Sequence, residues 1–158
     1  MMCFHDTLTS PLGVLELEAS DRGLTAIRFP KRTNQPPTTS ARPNEHLRLA
    51  KEELSDYFSG QLASFSVPLD WQGTEFQIAV WQALLKIPLG ETWSYADVAR
   101  AVRRPKSARP VGGAVGRNPL PIIVPCHRVV GSDGSLTGFT GGLDIKIKLL
   151  ALEGVSAH

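Results

Sequence analysis

Apolar positions along this chain change their period several times. Residues 12–19 alternate apolar with polar, Val14 and Leu17 being the strongest, and residues 24–29 form a second short apolar run after an Asp21-Arg22-Gly23 turn. A period of two bounded by turn residues predicts a β-hairpin. Residues 33–43 hold three prolines among Thr, Ser and Asn, the composition of a connector. The period then lengthens. Asn44 is a helix cap, and Leu47, Ala50, Leu54, Tyr57 and Phe58 mark one helical face that Gly60 ends. Residues 65–69 are expected to add a short strand.

The second half is patterned mainly for helices. Thr74 with Gln77, and Ser94 with Asp97, have the spacing of capping boxes. Phe76, Val80, Trp81, Leu84 and Leu85 follow the first; Val98, Ala99 and Val102 follow the second. A further helix from near Ser107 to Gly116 completes a helix-turn-helix pattern. Pro110 fixes where that helix starts. Proline is tolerated in a first turn, whose amides are free, and costs about 3 kcal/mol in a helix interior; a start at Ser107 or Ala108 follows. Asp144 is the expected cap of a last helix whose shared face is Ile145, Leu149 and Leu152. Glu153 then falls in its last turn, where the helix dipole disfavours an anion.

Between these helices lies Pro121-Ile122-Ile123-Val124-Pro125-Cys126-His127. The apolar run is expected to be a buried strand, ending in a turn that presents Cys126 as a nucleophile. Neighbouring side chains diverge in a strand but come close in a tight turn or a helix's first turn. A thiolate is the reactive form of cysteine, and histidine takes protons near neutral pH. A third polar group normally orients the histidine. Alone, such a pair is as well explained by packing, since free cysteine is among the most buried residues.

Charge changes the picture. Residues 1–99 carry 8 Lys/Arg and 12 Asp/Glu, residues 100–128 carry 7 and none, and residues 129–158 carry 2 and 3, so the segments are −4, +7 and −1. A basic block beside the candidate nucleophile is the footprint expected for a polyanion, and nucleic acid in particular. No apolar run is long enough for a membrane helix and no signal peptide is recognisable, so a cytoplasmic protein is expected. Cys3 and His5 supply only two of the four ligands a structural zinc needs; neither a metal site nor a disulfide is expected.

Pro125-Cys126-His127-Arg128-Val129 resembles the active-site signature of O6-alkylguanine-DNA alkyltransferases, the methylated-DNA–protein-cysteine methyltransferases. The resemblance covers about half the chain, from Thr74 to Gly154, through Ser94-Tyr95, Ala108-Arg109, Val111-Gly112-Gly113-Ala114, Arg117-Asn118-Pro119, Gly138, Gly141-Gly142 and Glu153-Gly154. A weaker likeness covers residues 7–17 and Tyr57-Phe58-Ser59-Gly60.

The resemblance implies an α+β protein: a small N-terminal α/β domain (1–72) and a mainly helical C-terminal domain (73–158) with a winged-helix-like helix-turn-helix. It implies single-turnover transfer of the alkyl group of O6-alkylguanine, and of O4-alkylthymine, from duplex DNA to Cys126. His127 takes the thiol proton through a water, Glu153 orients His127, and Asn118 braces the turn. Tyr95 assists base rotation and contacts the flipped guanine, while Arg109 fills the vacated stack. Gln77, Ala96 and Ser132 match positions at the DNA surface. Arg104, Lys106 and Arg117 are phosphate candidates, and Val129, Phe139 and Thr140 wall the base pocket within or beside loop 136–142. No metal or cofactor is needed, and the working form is expected to be a monomer, with cooperative binding on DNA left open. Two positions depart from the common pattern: Pro110, where a small residue is usual, and Phe139, where a tyrosine is frequent. The rival readings are a DNA-binding protein without chemistry, either a regulator or a lesion binder, and a cysteine hydrolase. Non-catalytic relatives replace the cysteine, and a hydrolase turns over many times.

Overall fold

The alternating N-terminal segment builds three strands rather than two. In the computed structural model, which describes residues 3–30, 42–62, 64–136, 139 and 141–155, β1 (Phe4–Ser10), β2 (Gly13–Ala19) and β3 (Leu24–Arg28) form an antiparallel sheet in that order. Leu8 faces Leu15 across the first pair and Leu17 faces Ile27 across the second. β1 escapes sequence reading because Phe-His-Asp-Thr-Leu-Thr-Ser is mostly polar; its partner defines it. The inward face of β2 is Leu15, Leu17 and Ala19, while Val14 is 40% exposed. The period is as expected, but Val14 is on the outer face.

α1 (Glu45–Phe58) packs on this sheet. The Asn44 side chain caps it, accepting from the Leu47 amide at 3.0 Å. Leu47, Ala50, Leu54 and Tyr57 are its buried stripe, and Gly60 leaves the helix with φ +79°. Residues 65–69 are not a strand: only a Leu24–Leu69 bridge forms. The buried Glu53 carboxylate explains why, because it accepts from the Ser66 and Val67 amides and the Ser66 hydroxyl at 2.7–3.0 Å and so fixes that segment from the helix side. Most of connector 33–43 lies outside the described residues.

The chain divides into two compact units, Met1–Trp71 and Gln72–His158. In the second, α2 (Glu75–Leu84) and α3 (Tyr95–Ala101) both start with complete capping boxes, Thr74/Gln77 and Ser94/Asp97. α4 (Ala108–Gly116) follows, with Pro110 as its third residue and the first bond running from the Val111 amide to Ser107. This is the start that proline requires. The Trp81 indole nitrogen donates to the Ala114 carbonyl at 2.9 Å, fastening α2 to α4. The turn after α3 has Arg103 at φ +62°, with the Arg103 and Arg104 amides bonded back to Arg100 and Ala99, a Schellman ending that glycine usually makes.

Two short strands, β4 (Trp93–Ser94) and β5 (Val129–Val130), pair in parallel. α5 (Leu143–Leu152) is capped by Gly142 at φ +94°, not by Asp144, which sits in the first turn. Its buried side chains are Lys146, Leu149 and Leu150; Leu152 is 44% exposed. The stripe is therefore displaced from the one periodicity selects. No helix among the described residues is long and apolar enough to cross a membrane.

Candidate active site

The buried run before the cysteine is an irregular loop, not a strand. Pro121 and Pro125 bracket it, and Ile122 adopts φ +76° although it is β-branched and 1% exposed, a conformation such residues rarely hold. Asn118 satisfies the loop's polar backbone: it accepts from the Leu120 amide at 2.9 Å and donates to the Val124 carbonyl at 2.8 Å. The Cys126 amide donates to that same carbonyl at 2.7 Å across Pro125, whose angles (φ −79°, ψ 65°) are those of an inverse γ-turn. The chain then enters a single 3₁₀ turn, Cys126–Arg128.

That turn buries three reactive or charged side chains: Cys126 is 5% exposed, His127 0% and Arg128 6%. Burial pushes the Cys126 thiol up to about 11, against the pull of an Asn118 hydrogen bond and the Lys146 charge. Burial also holds the His127 imidazole below its usual value; the Glu153 hydrogen bond and charge oppose this, while the Arg128 and Lys146 charges add to it.

His127 Nε2 lies 2.7 Å from Glu153 Oε2. A carboxylate can only accept, so Nε2 carries the hydrogen and Nδ1 the lone pair. Nδ1 is buried and has no hydrogen-bond partner. Glu153 caps α5 at its C-terminal end and is held on its other side by Arg128: Nε donates to Oε1 at 2.7 Å and Nη2 to Oε2 at 3.0 Å. Arg128 Nη1 donates to the Ile87 carbonyl at 2.7 Å. Lys146, 1% exposed, donates to the Val129 carbonyl at 2.7 Å, and burial lowers its ammonium's proton affinity.

The structure thus joins His127 to Glu153 and sets Cys126 and Asn118 in one loop. Sequence reading missed Arg128 and Lys146 as parts of this centre. Their signal was faint: Lys146, Leu149, Leu150 and Glu153 have the i, i+3, i+4, i+7 spacing of one helical face, but apolar positions alone select Ile145, Leu149 and Leu152.

The other named residues belong to the same second unit. Tyr95 and Ala96 open α3, both half-buried. A Cβ on Gly112 would sit 3.8 Å from the Tyr95 ring, ordinary contact, whereas one on Gly113 or Gly116 would meet nothing within 4 Å. Gln77 spends its side-chain carbonyl on the Thr74 amide. Arg109 and Arg117 are exposed, as are Lys106 and Ser132. Arg104 is exposed too and lies 5.6 Å over the Phe76 ring. Val129 is fully buried, and its carbonyl already serves Lys146. Phe139 is half-buried; Thr140 and Gly138 lie outside the described residues. The basic block is weaker than its sequence charge. Arg128 is internal and Arg100 pairs with Asp97, leaving Arg103, Arg104, Lys106, Arg109 and Arg117 facing solvent.

Residues 75–155 match the family described as 6-O-methylguanine DNA methyltransferase, DNA binding domain, and residues 3–71 match its ribonuclease-like domain. The chain is 47% identical to a methylated-DNA–protein-cysteine methyltransferase of Mycolicibacterium paratuberculosis, over 96% of this chain and 93% of that protein. It is 45% identical to one from Methanosarcina acetivorans, over 96% and 98%. Among solved structures it resembles the Mycobacterium tuberculosis O6-methylguanine methyltransferase, with TM-score 0.85 and 46% identity over 96% of this chain and 93% of that one. A structure of the M. tuberculosis protein in complex with DNA matches with TM-score 0.84 and 46% identity, over 95% and 92%.

Proposed function

This chain belongs to the 6-O-methylguanine DNA methyltransferase family, and on that premise we propose how it acts: it repairs alkylated duplex DNA by direct reversal, moving the alkyl group of O6-alkylguanine onto its own Cys126. O4-alkylthymine, which offers the same alkyl–oxygen bond, is a second substrate. The observation that carries the reading is the buried His127, tied to Glu153 through Nε2 and left with a free lone pair on Nδ1 one residue from the thiol.

With the thiol pushed up to about 11, little thiolate exists at neutral pH before substrate arrives. The proton therefore leaves during attack, through a water to His127 Nδ1. The Sγ–C bond forms in line as the C–O6 bond breaks. Tyr95 donates a hydrogen bond to the guanine as charge collects on it, and the proton held on His127 balances that charge. The product is a thioether, which is not a leaving group under mild conditions, so each molecule acts once. No step asks for a metal or a cofactor.

The target atom lies inside the base stack, so the nucleotide must be extruded. The surface of α4 supports entry through the minor groove. Glycine costs about 1 kcal/mol in a helix relative to alanine, and packing does not require Gly113 or Gly116, since a Cβ there meets nothing. What small side chains permit is close approach: a helix is about 10–12 Å wide and the minor groove about 6 Å. Arg109 fills the gap left by the base, and Lys106, Arg104 and Arg117 meet phosphates. Gln77, Ala96 and Ser132 lie along the same DNA, while Phe139 and Thr140 flank the base and the Val129 carbonyl takes the exocyclic amine on its second lone pair. The protein works as a monomer. Keeping Cys126 separates this reading from a lesion binder without chemistry.

Base extrusion is tested with Arg109→Ala. Its transfer rate should fall far more on an O6-methylguanine duplex than on free O6-benzylguanine, which needs no gap filled. Equal losses on both would make Arg109 a structural residue.

A further inference from the structure

Arg128 presents an unusual case: an arginine inside the reactive turn whose charge faces inward. It makes three hydrogen bonds, two to Glu153 and one to the Ile87 carbonyl. Those bonds tie together the segment after α2, the reactive turn and the C-terminal end of α5. A carboxylate at a helix C-terminus opposes the helix dipole, and one that is also buried needs a counter-charge. The guanidinium supplies it in the planar fork geometry that a lysine lacks.

We propose that Arg128 is a positioning residue for the proton transfer: by gripping both oxygens of Glu153 it fixes the carboxylate so that its contact with His127 keeps the hydrogen on Nε2 and the lone pair on Nδ1. The inference rests on the alkyl-transfer reading above and deepens it. Arg128 touches neither the substrate nor the thiol proton; it acts through Glu153.

Its second effect is electrostatic. Among the described residues, the charged and titratable groups that act on His127 are Cys126 and Arg128 on its own turn, Lys146 on α5 and Glu153 at the end of α5. Glu153 draws a proton toward the imidazole, while Arg128 and Lys146 oppose it. A base must be unprotonated to work. Arg128 therefore keeps His127 available at the pH where Glu153 alone would favour the imidazolium. Without the guanidinium the balance tips toward protonation, and the acid limb of the rate profile moves to higher pH.

The test is single-turnover transfer from a duplex with one O6-methylguanine, at saturating protein, from pH 4.5 to 8.5, for the wild type, Arg128→Lys and Arg128→Gln. Arg128→Gln should move the acid limb up by about one pH unit, which is about tenfold slower transfer on the acid side, with the loss shrinking toward the alkaline plateau. Arg128→Lys keeps the charge and should leave the limb in place while lowering the plateau, because the fork is lost. A residue that only stabilised the fold would lower the plateau in both variants and move neither limb, and that result would overturn the proposal.

Should Arg128→Gln fail to fold, a cycle with Glu153→Gln decides instead. Arg128→Lys should slow the wild-type background but cost nothing further once Glu153 is glutamine; additive losses would overturn the proposal. Wild-type protein that transfers no methyl at all would sink the alkyl-transfer reading itself, a result separable from normal transfer with unmoved limbs.

Discussion

The exposed face of α4 and the buried turn at Cys126 lie in one compact unit and are built on opposite terms. On α4 the side chains are small, Gly113 and Gly116 border open space, and the nearby cations face solvent. At the turn, Cys126, His127 and Arg128 are almost wholly enclosed, and Glu153 binds both His127 and Arg128. The helix face gives up intrinsic helix stability to keep its surface low. The turn gives up solvation of its polar groups to fix their geometry. A mutation should therefore affect stability in opposite directions at the two places, and both should lose repair.

The largest expected effect lies in the turn. Glu153→Ala leaves Arg128 buried without its counter-charge, and breaking one partner of a buried pair costs about 3–5 kcal/mol. Urea unfolding should show a loss of that size, with transfer strongly slowed. A loss below about 1 kcal/mol, the range of an exposed pair, would mean the turn is wetter than it looks.

Next comes the thiol. Burial pushes it up to about 11, from the 9.0 of an ordinary thiol. A group with a raised folded value contributes stability that is complete below its unfolded value and is lost as pH rises through the folded one. Between pH 9 and 11 the wild type should therefore lose roughly 2–3 kcal/mol relative to Cys126→Ala. Parallel stability curves for the two proteins across that window would contradict a desolvated Cys126.

On α4 the sign should reverse. Gly113→Ala should raise the unfolding free energy by about 1 kcal/mol and weaken binding to duplex DNA. Stabilisation with unchanged binding would remove α4 from the groove. The smallest effect is expected at Arg103, an exposed residue in the left-handed region. Arg103→Gly relieves a conformation that costs an L-residue about 1 kcal/mol, less the extra freedom glycine regains on unfolding. The melting midpoint should rise slightly; a fall would show that the arginine side chain stabilises the turn.

What the sequence disclosed divides along the same line. Asn44, Thr74 with Gln77, Ser94 with Asp97, and Pro110 set helix starts through bonds within four residues, so local pattern sufficed. The Cys126–His127–Glu153 set was visible only through the family signature, because 26 residues separate His127 from Glu153. Features that depend on distant partners were misread. Pro121–Val124 has apolar strand composition, yet Asn118 and two prolines make it a loop. β1 is polar and becomes a strand only against β2. Arg128 counts in the basic block expected to face a polyanion, and Lys146 lies off the apolar face that pattern selects; both are buried because the Val129 and Ile87 carbonyls and Glu153 receive them.

The most direct test of the central claim is the intact mass of the protein after mixing with excess duplex containing one O6-methylguanine, followed by peptide mapping. The protein should gain one methyl group and no more, located on Cys126, and Cys126→Ser should gain none. Continued methyl transfer beyond one per protein, or a methyl found on the exposed Cys3, would contradict it.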